Sequence, residues 1–161
     1  MLRLAVLFLA LAMGFVPDVQ AQVIAERTAL TFEGVKVVAE AAAAEAMQNN
    51  WNVVIVVADA NGDLLHLQRL DGAHLGSLQL AQEKARTAAR YRRPSKDFAD
   101  WLHEGGQAAL ALPGAIPSEG GLPIVVEGEV IGAIGVNGVR AAYDTQIAQA
   151  GIDALLAQID R

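Results

Sequence analysis

The chain has 161 residues, 53% of them hydrophobic, a formal net charge of −6 and no cysteine. The acidic balance, with a pI near 4.9, argues against nucleic acid and anionic membrane surfaces as partners. The lack of cysteine excludes disulfides, Fe–S clusters, thiolate-ligated haem and covalent c-type haem attachment.

The chain opens with a secretory pattern. Arg3 gives a small positive region, Leu4 to Val16 is apolar, and Val19-Gln20-Ala21 has the small residues of a cleavage site. The apolar run is shorter than the roughly 20 residues that cross a bilayer. Residues 1–21 are therefore expected to be a signal peptide, and 22–161 a single exported domain, periplasmic and with no membrane span in its mature form.

Thr31 can cap a helix running to about Asn50, with Glu33 in its first turn and Val35, Val38, Ala42 and Ala46 on one stripe. Val53–Ala58 is a continuous apolar run, read as a strand buried on both faces. Asn61-Gly62 turns it back into a strand over Leu64–Leu70. Asp71-Gly72-Ala73-His74 connects to a helix capped by Ser77 and running to about Arg92. Pro94-Ser95 restarts the chain as a short helix ended by Gly105-Gly106, and Gln107–Pro113 reads as irregular. Leu122–Val126 and Val130–Val136 form a second hairpin around Glu127-Gly128-Glu129, and Asp144 caps a last helix, Ile147–Ile159. With a short extra strand near Ala115-Ile116, this is an α+β domain: a largely antiparallel sheet of about five strands flanked by helices.

Gly132, Gly135 and Gly138 repeat at a spacing of three. No strand–helix junction with G-x-G-x-x-G and no Gly-Lys-Ser/Thr ending surrounds them, so they read as close-packing sites rather than a nucleotide loop. No Ser nucleophile stands in a G-x-S-x-G setting. Among the histidines, His66 lies within a strand, and His103 shares a helix with Asp100 and Glu104 in a solvated acidic setting. His74 sits in a Gly-flanked connection, where functional side chains concentrate, and imidazole is a common haem-iron ligand. Arg86, Arg90, Arg92, Arg93 and Lys96 form a basic cluster in an acidic chain, suited to helix-dipole complementation or to carboxylates such as haem propionates. Lys84 and Thr87, three apart on the same helix, can face one ligand.

Several stretches together resemble the GlcG/HbpS family of haem-binding and glycolate-operon-associated proteins, also found as the C-terminal domain of some corrinoid adenosyltransferases. They are Leu30-Thr31, Val57-Ala58-Asp59 with Gly62, Asp71-Gly72-Ala73, Lys84 to Ala88, Gly120 to Ile124, Ile131 to Val136, Asp144, and Ala150-Gly151. The resemblance implies a compact antiparallel-sheet domain, assembly into a homo-oligomer such as an octamer, a haem or related tetrapyrrole ligand in some members, and no settled enzymatic activity. The reading that follows is an exported haem-binding protein acting in scavenging, buffering or sensing. Its cofactor-binding residues are His74 (as metal ligand), Lys84, Arg86, Thr87 and Arg90. The alternative is a non-enzymatic oligomeric module for a small glycolate-type organic acid. A third reading, acid–base catalysis through His74 with Asp71 or Glu119, has no spacing that requires it.

Overall fold

The computed structural model describes residues 26–160, so the expected signal peptide lies outside the described residues. Helix α1 spans Phe32–Gln48, and the Thr31 hydroxyl accepts the Gly34 N–H at 3.1 Å, as its capping role requires. Strands β1 (Val54–Asp59) and β2 (Leu64–Arg69) form the first hairpin. Helices α2 (Ser77–Tyr91) and α3 (Lys96–His103) follow, and then a one-turn 3₁₀ helix over Gln107–Ala111. Strands β3 (Gly121–Val126) and β4 (Glu129–Asn137) form the second hairpin, and α4 (Ala141–Ile159) ends the domain.

The four strands run in the order β2-β1-β4-β3, every neighbour antiparallel. The α+β class holds, with four strands rather than about five. Ala115-Ile116 forms no strand because the Ile116 N–H donates to the Thr87 hydroxyl at 2.9 Å instead of to a sheet partner. Gln107–Ala111, expected to be irregular, is the 3₁₀ turn.

The two hairpins meet at β1 and β4, which explains why Val54 to Ala58 are all buried: α2 covers one face and α1 with α4 the other. Val53, Ile55 and Val57 pack with Val38, Ala42, Ile134 and Ile147. Val54, Val56 and Ala58 pack against Ala81 and Ala85 of α2. Each such Val or Ile contributes about 1.5–3 kcal/mol relative to exposure. Five consecutive buried positions therefore outweigh any single polar contact in fixing the register.

The glycines of β4 set how closely the layers approach. A side chain at Gly135 would run into the Ala81 carbonyl of α2, and one at Gly132 would lie 2.7 Å from the Ala58 carbonyl. The alanine stripe of α2 therefore rests on Gly135 with backbone nearly touching backbone, while Gly132, on the other face, admits the Leu30 side chain. Gly135→Ala is expected to destabilise by at least about 1–3 kcal/mol, the usual cost of overpacking, read as a lower urea midpoint. An unchanged midpoint would mean that α2 lifts off the sheet at no cost.

Candidate functional site

Antiparallel order gives the domain two distinct ends. At one, the β1–β2 and β3–β4 turns lie side by side, since Asp59 pairs with Gly132 near the start of β4. The C-terminal half of α2 covers this turn end: Gly62 packs against the Arg86 side chain, and Arg90 Nε donates to the Asn61 carbonyl at 2.8 Å. The other end gathers the C-terminus of α1, the 70–76 connection, the end of β4 and the start of α4. Here Trp51 and Tyr143 stack with ring centroids 4.6 Å apart, and a cavity of about 280 Å³ is lined by Met47, Trp51, Leu70 and Asp71 among others.

His74 lies at this second end, exposed, in the connection that leads into α2, beside the exposed Leu75. Helix α2 has 15 residues, so its two ends are about 22 Å apart. Arg86 and Arg90 stand nine and thirteen residues along α2 from Ser77, about 14 and 20 Å up the axis from the end that carries His74. Arg86 donates to Glu83 at 2.8 Å on the surface of α2, while its Nε is buried without a partner.

Lys84 and Thr87 face inward, because they continue the alanine stripe of α2 toward the sheet. Lys84 is fully buried and its Nζ donates to the Val136 carbonyl and to Asp144 Oδ2, both at 2.9 Å. Asp144, also buried, accepts the Val139 N–H through Oδ1 at 3.2 Å. Burial pulls the Lys84 ammonium below its ordinary pKa and pushes the Asp144 carboxyl above its own. The attraction between them opposes both shifts. Gly120, at φ +115°, closes over the pair: a Cβ there would sit 3.0 Å from Lys84 Nζ. The Thr87 hydroxyl donates to the Gly114 carbonyl at 3.3 Å, so it holds the 113–116 segment. Neither side chain offers a free polar group to a ligand.

Two expected caps also become structural contacts. Ser77 is the first residue of α2 rather than its cap, and its hydroxyl accepts from Asn137 Nδ2 at 3.0 Å. Asp144 lies inside the first turn of α4, which begins at Ala141, because its carboxylate is drawn to Lys84. Of the other histidines, His66 has a buried Nε2 without a partner, and His103 belongs to no cluster of three or more metal-ligating side chains among the described residues. Of the partners in the third reading, Asp71 shares the exposed connection with His74, and Glu119 accepts from the Thr145 hydroxyl at 3.1 Å.

The turn end contains a feature that local sequence patterns did not reveal. A cavity of about 290 Å³ opens between Arg27, Thr28, Asn61, Arg92 and Glu129. Arg27 precedes α1 and Glu129 starts β4, so only the folded topology places them beside the α2 terminus.

The domain is thus a three-layer α+β unit with a central antiparallel sheet and a buried lysine–aspartate clamp. The chain belongs to the HbpS-like family, described as haem degrading protein HbpS-like, whose model matches residues 30–153. It is similar to Protein GlcG of Escherichia coli K12, at 45% identity over 93 residues, covering 58% of this chain and 69% of that protein. A double mutant of HbpS from Streptomyces reticuli superposes with a TM-score of 0.76 at 32% identity, covering 82% of this chain and 90% of that one. A PduOC–haem complex superposes with a TM-score of 0.73 at 29% identity, covering 79% and 95% respectively.

Removing one member of the clamp strands a buried charge. Lys84→Met or Asp144→Leu alone is expected to cost about 3–5 kcal/mol in chemical denaturation, and the double replacement markedly less than either. Additive losses would show that the two side chains do not act as a pair.

Proposed function

We propose that this protein is an exported haem-binding protein acting in scavenging, buffering or sensing, with its tetrapyrrole at the His74 end. Membership in the HbpS-like family carries the reading, and the haem complex of a similar domain supports it. The residues at that end fit such a group. His74 offers an exposed imidazole for iron, and Met47, Leu75, Trp51 and Tyr143 offer apolar and aromatic surface to a flat ring. Arg140, at the N-cap position of α4 at the same end, is a further cation for the propionates beside those of α2. The secretory pattern of residues 1–21 supports a periplasmic location. Among the described residues no helix is long and apolar enough to cross a membrane. Exposed Phe32, Leu64, Leu65, Leu110 and Ile159 favour a homo-oligomer that covers them.

Titration with hemin, followed by absorbance, tests the reading. A saturable, stoichiometric Soret change is expected, lost in His74→Ala and retained in Arg86→Gln and Arg90→Gln. No saturable change beyond that of an unrelated acidic protein would refute haem binding. A change that survives in His74→Ala would move the axial ligand elsewhere.

A further inference from the structure

We infer that Asn61 is a self-modifying site: its side-chain amide is lost as ammonia through attack by the Gly62 nitrogen, and Arg90 promotes the attack. The chain contains two Asn-Gly pairs, Asn61-Gly62 and Asn137-Gly138. A glycine after asparagine lets the backbone nitrogen swing onto the side-chain carbonyl carbon with no Cβ in the way. The fold treats the two pairs oppositely.

Asn61 is exposed in the β1–β2 turn, and most of the hydrogen bonds around it come from that turn. Its N–H donates to Asp59 Oδ1 at 2.8 Å, its Nδ2 to Asp59 Oδ2 at 3.3 Å, and the Gly62 N–H to the Asp59 carbonyl at 3.0 Å. Such a turn opens locally without disturbing the sheet. The long-range contact is Arg90, whose Nε donates to the Asn61 carbonyl at 2.8 Å. That oxygen belongs to the same peptide as the attacking nitrogen. A guanidinium on it stabilises the negative charge that spreads over oxygen and nitrogen when the Gly62 N–H is lost. Asn137 has none of this freedom. It pairs with Val54 between the two central strands, its Nδ2 donates to Ser77 Oγ at 3.0 Å, and Gly138 packs against the Asn52 carbonyl and Val53. Ring closure there requires β1 and β4 to part.

The chemistry balances with water alone. Hydroxide takes the Gly62 amide proton, the nitrogen bonds to Asn61 Cγ, and the Cγ–Nδ2 bond breaks as ammonia leaves with a proton from water. Water then opens the five-membered imide at either carbonyl. One opening gives aspartate, and the other reroutes the backbone through Cγ as isoaspartate. Either product puts a new carboxylate at the cavity that Asn61 lines with Arg27 and Arg92.

The test incubates the whole protein in mildly alkaline heavy-oxygen water and follows both Asn-Gly peptides by tandem mass spectrometry. Conversion at Asn61, with heavy oxygen in the new carboxylate, is expected to run at least about tenfold faster than at Asn137, where parting the strands exposes buried valines. In urea-unfolded protein the two are expected to convert at similar rates. Arg90→Gln is expected to slow Asn61 severalfold in the folded protein and leave its unfolded rate unchanged, with the unfolding midpoint verifying that the variant is folded. If Arg90 only restrained the turn, its removal would speed the reaction instead. The inference is overturned if Asn61 keeps its amide while the unfolded chain converts, if the two pairs convert alike in the folded protein, or if Arg90→Gln converts as fast as the parent or faster.

Discussion

The contact on which this architecture turns is the one between Lys84 and Asp144. It joins α2, which covers one face of the sheet, to α4, which covers the other, and it does so at the last carbonyls of β4. Two charges so deeply buried are tolerated only because each has partners at hydrogen-bonding distance: Val136 for the ammonium, Val139 for the carboxylate. The clamp also explains two local features. Gly120 must be glycine, since any side chain would press on the ammonium, and α4 begins before Asp144 rather than at it.

Fixing α2 in this way fixes everything its two ends carry. The helix lies with its alanine stripe on Gly135, so its polar residues are sorted by geometry: Lys84 and Thr87 inward, Arg86 and Arg90 outward. Its start presents His74 beside an aromatic stack, and its end presents Arg92 beside both hairpin turns. One rigid element thereby keeps an imidazole environment and a guanidinium environment about 22 Å apart.

Much of the fold was legible because its signals are local. The Val53–Ala58 run, the Asn61-Gly62 turn, the Thr31 cap and the glycines of β4 each announce themselves within a few residues, and the family resemblance rests on the same stretches. The site was harder to read because its contacts are distant in sequence. Lys84 and Thr87 lie three apart beside the inward alanine stripe of α2, and helical periodicity does not say whether such a pair faces a ligand or the sheet. The partner that claims Lys84 is 60 residues away, and the segment held by Thr87 begins at Gly114. Similarly, Trp51 and Tyr143 stack although distant in sequence, and Arg27 and Glu129 line one cavity although α1 to β3 lie between them in the chain. The spacing of three between Lys84 and Thr87 was real. Its meaning was packing.

The central claim is that the tetrapyrrole lies at the His74 end and leaves the turn end free. Paramagnetic broadening of backbone amide resonances by bound ferric haem tests it most directly. Signals from Trp51, Leu70, Leu75 and Tyr143 are expected to be lost while those of Asn61, Arg92 and Glu129 stay sharp. Broadening at the turn end, with the His74 end unaffected, would contradict it.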